Sequence, residues 1–157
     1  LMMYLYRTSR PHIAVIGQIP GTQTFRNIGR YDDAVTSSRI VSMRIDESIY
    51  FPNARLLETQ VYEMVASNPE IQHFILNCSA VNSIDASGLE SLKAINQRLK
   101  DAGIAFHLSE VKGPILDGLK KTSFYKDMEG RMHFTHFDAV CSIDKGIATE
   151  TLKKGKP

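Results

Sequence analysis

The chain has 157 residues, of which 43% are hydrophobic and 23% are charged, and its formal net charge is +2. This length suits a single domain with one core, and the composition is that of an ordinary globular protein. The nearly balanced charge gives no indication of a nucleic-acid partner, and no apolar run approaches the ~20 residues that a helix needs to cross a bilayer. Cys78 and Cys141 lie far apart inside apolar segments, which predicts buried thiols in a reducing compartment rather than a disulfide framework.

The first six residues, Leu-Met-Met-Tyr-Leu-Tyr, are apolar and aromatic, and Arg7 and Arg10 follow them. This order is typical of the last turn of a membrane span, with tyrosines at the headgroups and arginines on the cytoplasmic side. A strand of the domain itself and a remnant of expression are the alternatives that the residues alone leave open.

Residues 12–45 predict two strands with a long connection between them. Residues 12–17 are apolar and β-branched, as in a buried strand, and residues 40–45 alternate in polarity, as in a half-buried one. Residues 20–38 are polar and aperiodic, and so long a connection is often functional. Arginines beside aromatic residues suit a phosphate or a partner surface, although a loop pinned by an aromatic residue with solvated arginines explains them as well. The residues in question are Phe25, Arg26, Asn27, Arg30 and Tyr31.

The following segment predicts a helix and then a buried strand. We expect extended structure to continue through residue 51 and Asn53 to be the N-cap of the helix. Apolar residues then recur every three or four positions, at Ala54, Leu57, Val61, Met64 and Val65. Residues 71–78 are almost continuously apolar, which is typical of strands in sheets that are covered on both faces.

Residues 82–90 connect that strand to a second amphipathic helix, which has a glycine stop signal at Gly103. Ser87 with Glu90 three residues later is the pattern of a capping box, and Ser87→Ala is then expected to cost ~0.5–2 kcal/mol. The same corner also suits recognition, because a helix N-terminus offers free N–H groups and Gly88 has no side chain to keep another molecule away. The two interpretations are compatible. On the second, Gly88→Arg is expected to leave the fold mostly intact and to block docking.

The rest of the chain continues the alternation of strands and helices. It predicts a strand over residues 104–108, a short helix from Gly113-Pro114, a polar connection over residues 123–131, a short strand over residues 132–137 and a last helix capped by Asp138. This order predicts an α/β fold with a mostly parallel sheet of four to five strands and about four helices. Since no helix separates the first two strands, the first is expected to run antiparallel at an edge.

The sequence does not contain the residue patterns of metal binding, of nucleophilic catalysis or of nucleotide binding. His133 and His136 are three positions apart in an expected strand and so would point to opposite faces, which argues against a shared metal ion. Ser87 lacks the first glycine of a nucleophile elbow, and nothing selects His73 or His107 as its base. There is no phosphate-binding loop and no dinucleotide fingerprint. We therefore expect no enzyme activity, no cofactor and no metal.

Four blocks of the sequence carry a family resemblance. Residues 84–89, Ile-Asp-Ala-Ser-Gly-Leu, resemble the signature loop of STAS domains, which anti-sigma factor antagonists share with SulP-type anion transporters. Residues 20–27, Pro-Gly-Thr-Gln-Thr-Phe-Arg-Asn, and residues 44–55, Arg-Ile-Asp-Glu-Ser-Ile-Tyr-Phe-Pro-Asn-Ala-Arg, are similar to the SulP branch. Residues 5–12, Leu-Tyr-Arg-Thr-Ser-Arg-Pro-His, are similar to the exit from the last membrane span of those transporters.

The resemblance implies a STAS-like (SpoIIAA-like) fold over residues 12–150, preceded by the end of a membrane span and its linker at residues 1–11. Residues 151–157, with Lys153, Lys154 and Lys156, are expected to be a disordered basic tail. The resemblance assigns Asp85, Ser87, Gly88 and Leu89 to partner or anion binding, or to phosphorylation at the serine. It leaves Phe25, Arg26, Asn27 and Arg30 as a secondary interaction loop.

Two function hypotheses follow from the resemblance. The first is a regulatory STAS domain of a SulP-type sulfate or anion transporter, at the cytoplasmic face of the inner or plasma membrane. Its expected partners are the transmembrane domain of the same chain, a twin subunit, a soluble regulatory protein, and a weakly bound anion or nucleotide. The second is a free-standing anti-sigma factor antagonist that phosphorylation of Ser87 switches, by adding about −1.5 to −2 charges at a helix start. The sequence does not identify the transported anion.

Overall fold

The computed structural model describes residues 13–154, which form six strands and five helices. The strands are β1 (Ile13–Gln18), β2 (Phe25–Asn27), β3 (Ile40–Ile45), β4 (His73–Asn77), β5 (Ala105–Ser109) and β6 (Met132–His133). The helices are α1 (Phe51–Ala66), α2 (Ala86–Asp101), α3 (Gly113–Leu119), α4 (Ser123–Asp127) and α5 (His136–Lys153). The membrane-exit segment expected at residues 1–11 and the last part of the expected tail, residues 155–157, lie outside the described residues.

One sheet holds the six strands in the order β2-β1-β3-β4-β5-β6. Strands β3 to β6 are parallel, whereas β1 runs antiparallel to β2 and to β3. The prediction of a mostly parallel α/β sheet with an antiparallel side is confirmed. The strand at that edge is β2 rather than β1, because a three-residue strand inside the polar connection pairs with β1. Since Ile13 pairs with Ile45, the chain enters the sheet beside the carboxyl end of β3.

The side chains of the central strands alternate between two helix layers. Helices α1 to α4 cover one face, where they bury the larger apolar cluster with β3, β4 and β5. Helix α5 covers the other face and buries a smaller cluster around Ile75 and Val140. Helices α1 and α2 contact each other through polar groups as well, since Ser91 Oγ donates to Glu58 Oε2 at 2.9 Å. Gly103, which follows α2, has φ +77° and is the stop signal that the sequence predicts.

Two predicted caps are in the wrong place by a few residues. Helix α1 begins at Phe51, so Asn53 lies inside its first turn, where its Oδ1 accepts from the Tyr50 amide at 3.0 Å. The extended structure expected through residue 51 therefore ends earlier. Thr135, not Asp138, is the N-cap of α5, since its Oγ1 accepts from the Asp138 amide at 3.0 Å. The strand expected over residues 132–137 accordingly ends at His133.

Three further expectations differ from the structure. The polar connection expected at residues 123–131 contains α4, which buries Phe124 because that ring completes the core. Cys141 is half-buried rather than buried, although both cysteines are free thiols. The expected boundary at residue 150 falls inside α5, in which Thr151 is buried. Within residues 13–154 we find no helix with the length and apolar character of a membrane span.

Candidate functional site

The carboxylate of Asp85 joins the starts of two helices. Its Oδ1 accepts from the Gly88 amide of α2 at 2.7 Å, and its Oδ2 accepts from the Phe51 amide of α1 at 2.9 Å. The Asp85 amide in turn donates to the Ile49 carbonyl at 3.2 Å. Both amides belong to first turns, where backbone donors have no partner inside their own helix. Asp85 is therefore the N-cap of α2, and the corner between β4 and α2 is fixed to the corner between β3 and α1.

The expected capping box at Ser87 is wrong, because the helix begins at Ala86 and is capped by Asp85. Asp85 and Ser87 are both suitable N-cap residues and lie two positions apart. Asp85 is the cap because its carboxylate also accepts from the distant amide of Phe51. Ser87 is half-buried, and its hydroxyl has no hydrogen-bond partner within residues 13–154. The loss of stability that the sequence predicts for Ser87→Ala is therefore expected for replacement of Asp85 instead.

Gly88 is not open to another molecule, as the sequence suggests it would be, but packs against the protein's own backbone. The glycine is buried, and a Cβ atom added to it would lie 2.3 Å from the carbonyl oxygen of Ile49. No carbon approaches an oxygen so closely without strain. The glycine is needed for the close approach of α2 to Ile49, and the expectation that Gly88→Arg leaves the fold intact is wrong.

The exposed part of this corner lies around Gly88 and not on it. Asp85 and Ala86 are exposed, and Leu89 is half-buried beside a groove of about 380 Å³. The other wall of the groove is α3, through Pro114, Ile115, Gly118 and Leu119. Residues 82–89 and α3 thus form a partly apolar concavity, the α2–α3 groove.

Two aromatic residues that the sequence analysis does not assign to the site stand next to this corner. Tyr50 is 41% exposed and Phe51 is 76% exposed, at the start of α1. Both follow directly on the strand pairing of Ile49 with Ile84. The available signal is Pro52, because proline in the first turn indicates that a helix starts at these aromatic residues.

The secondary interaction loop lies elsewhere. Phe25 packs edge-on against the ring of His136, with centroids 4.5 Å apart, on the face that α5 covers. Arg26 is exposed and lines a polar cavity of about 320 Å³, whereas Asn27 Oδ1 caps its own turn by accepting from the Gly29 amide at 2.8 Å. Arg30 is exposed. This cavity shares no lining residue with the α2–α3 groove, so the structure does not bring the two predicted sites together.

Several polar groups that line that cavity have partners within the protein. Asn77 Nδ2 donates to Glu110 Oε2 at 2.8 Å, and the same oxygen accepts from the His136 amide at 3.3 Å. Arg44 pairs with Asp46 at 2.5 Å. Pairing of this kind stabilises the end of the sheet and satisfies the side chains of Asn77, Glu110 and Arg44 without an added anion.

Among residues 13–154, no base lies close enough to activate Ser87. His73 and His107, the two histidines that could lie near it, point to the face that α5 covers, whereas α2 covers the opposite face. A serine without a base within hydrogen-bond reach is not an activated nucleophile. The corner can cap, pack and present a surface, and its exposed side chains suit contact with a partner.

Residues 31–139 match the family model described as "STAS domain". The chain belongs to the STAS domain family. The matched residues include β3 to β6, the Asp85 corner and the start of α5. The resemblance read from residues 84–89 is therefore confirmed.

This STAS domain is 31% identical to "Sulfate transporter 1.3" of Arabidopsis thaliana over 93% of the chain and 24% of that protein. The chain thus spans about a quarter of the length of that relative. Among solved structures, it superimposes on the murine Slc26a9 anion transporter with a TM-score of 0.78, at 15% identity over 95% of this chain and 24% of that one. A SulP transporter STAS domain from Vibrio cholerae gives a TM-score of 0.59, at 19% identity over 77% of this chain and 92% of that one.

The fold expectation is confirmed for the SpoIIAA-like class as well. The Bacillus protein SpoIIAA, in its phosphorylated form, superimposes with a TM-score of 0.52, at 12% identity over 69% of this chain and 95% of that one. At such identities the likeness concerns the fold alone.

Proposed function

We propose that this STAS domain is the cytoplasmic regulatory part of a SulP-type transporter for sulfate or a related anion, located at the inner or plasma membrane. It acts by contact with the transmembrane domain of the same chain, with a twin subunit or with a soluble regulatory protein. The observation that carries the proposal is the match of 93% of the chain to 24% of a sulfate transporter. The anion itself crosses the membrane elsewhere in the transporter.

The exposed residues at the carboxyl edge of the sheet support a contact of this kind. Tyr50 and Phe51 follow Ile49, which pairs with Ile84 of the α2–α3 groove, and they are 41% and 76% exposed. Aromatic residues next to an apolar groove are the usual anchors of a protein interface. The chain also enters β1 at this edge, since Ile13 pairs with Ile45. A transport domain that precedes the STAS domain would therefore lie on the side where the anchors are.

The contact acts on transport as a coupling free energy, which is typically ~1–3 kcal/mol, or roughly 5- to 150-fold in an equilibrium. We expect Phe51→Ala in the full-length protein to change the rate of sulfate uptake by about fivefold or more while leaving the folding of the domain intact. Uptake of labelled sulfate, normalised to the amount of transporter at the membrane, measures this.

Phe134→Ala is the matched control. Phe134 is 89% exposed directly after β6 and does not line the α2–α3 groove. Its loss is expected to leave uptake unchanged. Equal effects of both variants would contradict a contact at the α2–α3 groove. A reading frame without apolar spans upstream of Leu1 would overturn the transporter proposal altogether.

A second candidate is a free-standing anti-sigma factor antagonist with a phosphorylation switch. The Ser87 hydroxyl at the start of α2 favours it, because it has no hydrogen-bond partner among the described residues and phosphate is stabilised at a helix N-terminus. Asp85 and Glu90 would oppose the added charge. A partner pull-down with Ser87→Asp and Ser87→Ala distinguishes the two, because only a phosphoswitch predicts opposite effects on binding.

A weak nucleotide or anion at the same corner is the remaining possibility within the first proposal. Titration with GTP, followed by the amide signals of Ser87 to Glu90, measures it directly. We expect weak binding at most, because Asp85 already occupies the Gly88 and Phe51 amides that an anion would need. Saturation at micromolar GTP would contradict this expectation.

A further inference from the structure

Three histidines from neighbouring strands form a hydrogen-bonded row on the face of the sheet that α5 covers. His73 Nδ1 lies 3.1 Å from His107 Nε2, and His107 Nδ1 lies 3.1 Å from His133 Nε2. The ring centroids of each pair are 5.3 Å apart. His107, in the middle, is 5% exposed, whereas the two outer rings are half-buried.

The contacts restrict where protons can sit. A neutral imidazole has one N–H donor and one bare acceptor nitrogen. Because both nitrogens of His107 are engaged, this ring donates to one neighbour and accepts from the other. The neutral row can therefore be ordered in either of two directions, and in each direction one outer ring keeps a bare nitrogen at the free end of the row.

One added proton preserves both hydrogen bonds. If it binds the bare outer nitrogen at either end, the row keeps its order, and the bond made by the charged ring becomes charge-assisted. The charge can move along the row by transfer of each bridging proton to the next ring. A second proton would turn two N–H groups toward each other at one of the two contacts, and that hydrogen bond would be lost.

We propose that His73, His107 and His133 form a binding site for a single proton, which the row shares through its two imidazole–imidazole contacts and which excludes a second. This site lies under α5 and is independent of the α2–α3 groove. The site gives the domain a charge that changes with pH. Because the contact proposed for regulating transport lies at the α2–α3 groove, the failure of either proposal does not affect the other.

The surrounding charges favour one end of the row. Burial is the largest influence and lowers the pKa of all three rings, most strongly that of His107. Asp138, in the first turn of α5, partly offsets the lowering of the pKa of His133. Arg39 lowers the pKa of His73 further, and the two neighbouring histidines and Arg131 do the same to the pKa of His107. Arg39 is itself paired with Asp144 of α5 at 3.0 Å. The added charge therefore rests mainly on His133.

A metal ion is a poorer occupant of this row. The ring nitrogens are paired in series and do not converge on one point, because His107 offers a different nitrogen to each neighbour. In residues 13–154 there is no group of three histidine, cysteine, aspartate or glutamate side chains arranged to hold a metal ion. A proton needs no such convergence.

Imidazole ¹⁵N spectra of the 157-residue chain test the proposal. Couplings between ¹⁵N nuclei across the two contacts are expected at about pH 8, where the row is neutral. On titration to about pH 5, the protonated fractions of the three rings are expected to sum to one proton. His136 is an internal control, because its ring nitrogens contact the hydroxyls of Ser42 and Ser109 and the amide of Asn77, and no other imidazole of residues 13–154.

His107→Leu replaces the central ring with an apolar side chain of similar bulk. The outer rings are then expected to titrate separately and to take up two protons over the same range, which is twice the wild-type uptake. The wild-type spectra decide the question if this variant does not fold. The proposal is overturned if the wild-type row takes up no proton or more than one above about pH 5, or if the couplings are absent.

Discussion

At the scale of single residues, Asp85 shows how one carboxylate can hold two segments that are distant in sequence. Its two oxygens accept from the amides of Gly88 and Phe51, which start different helices. Each helix start carries a partial positive charge, and a carboxylate between the two is stabilised by both. The exposed position of Asp85 thus has a structural use besides any contact with a partner.

Replacing this carboxylate should destabilise the domain. Asp85→Ala leaves two first-turn amides without their acceptor. The free energy of unfolding is therefore expected to fall by at least the upper end of the ~0.5–2 kcal/mol that one lost N-cap costs. Urea unfolding of the domain measures it. Ser87→Ala is the matched control, since the Ser87 hydroxyl has no partner in the described part of the chain, and its loss should stay within about 0.5 kcal/mol. A larger loss for Ser87→Ala than for Asp85→Ala would contradict the assignment of the cap.

At the scale of elements, the close approach of α2 to Ile49 fixes how the two halves of the corner meet. Ile49 pairs with Ile84 in a short parallel bridge, and its carbonyl accepts from the Asp85 amide. Gly88 then packs directly on that carbonyl. The start of α2 is therefore positioned by backbone contact, which tolerates no side chain at this point.

Gly88→Ala is accordingly expected to destabilise the domain by about 1–3 kcal/mol, the usual cost of overpacking, although alanine is the better helix former. Gly118→Ala is the control, because it is also in a helix and a Cβ added there meets nothing within 4 Å. It should be neutral or stabilising by up to about 1 kcal/mol. Thermal unfolding of both variants provides the measurement, and a stable Gly88→Ala protein would show that α2 can shift away from Ile49.

The elements themselves could be predicted from the sequence, whereas their exact starts could not. The helical periodicity identifies α1 and α2, and the polarity alternation identifies β3, because burial of one face imposes these patterns locally. The start of α2 depends instead on the Phe51 amide, 34 positions away from Asp85. Strand β2 could not be predicted for a similar reason, because its three residues of mixed polarity pair only where β1 lies beside them.

At the scale of the whole molecule, the two faces of the sheet differ in chemistry. The face under α1 to α4 is apolar, whereas the face under α5 carries Ser42, Asn77, His107 and Ser109, all of them buried. His136 of α5 contacts three of these residues, Ser109 at 2.7 Å, Ser42 at 2.8 Å and Asn77 at 3.4 Å. The stability of this face therefore depends on its buried histidines, His107 and His136, being neutral.

Acid should therefore destabilise the domain. Burial lowers the pKa of His107 and of His136 to about 3, with a further lowering of each by His133. The unfolded chain protonates both below about pH 6.5, so stability is complete above that value and falls with pH by about 1.4 kcal/mol per unit for each ring. At about pH 5 the loss is on the order of 2 kcal/mol for each histidine.

Melting temperatures between about pH 7.5 and about pH 5 measure this loss. His107→Leu should flatten the profile, because the variant has one fewer ring to protonate on unfolding. A melting temperature that does not change over this range would mean that these rings are not held neutral.

The row of histidines could not be predicted from the sequence. His73, His107 and His133 have no common spacing, and they meet only because the register of β4, β5 and β6 brings them diagonally together. The signature loop at residues 84–89, by contrast, is contiguous and could be recognised directly. Contiguous features can be read from a single sequence, whereas a site assembled across strands requires their alignment.

The position of Ile13 affects which partners can compete for the exposed edge. Ile13 starts β1 at the edge of the sheet where Phe51 is exposed. A body attached ahead of β1 by a short linker would be present near Phe51 at an effective concentration on the order of millimolar. A free protein at micromolar concentration would have to bind the same anchors about 1,000-fold more tightly to displace it. Weak contacts are therefore sufficient for an attached partner, while a diffusing regulator needs high affinity or an edge that has already opened.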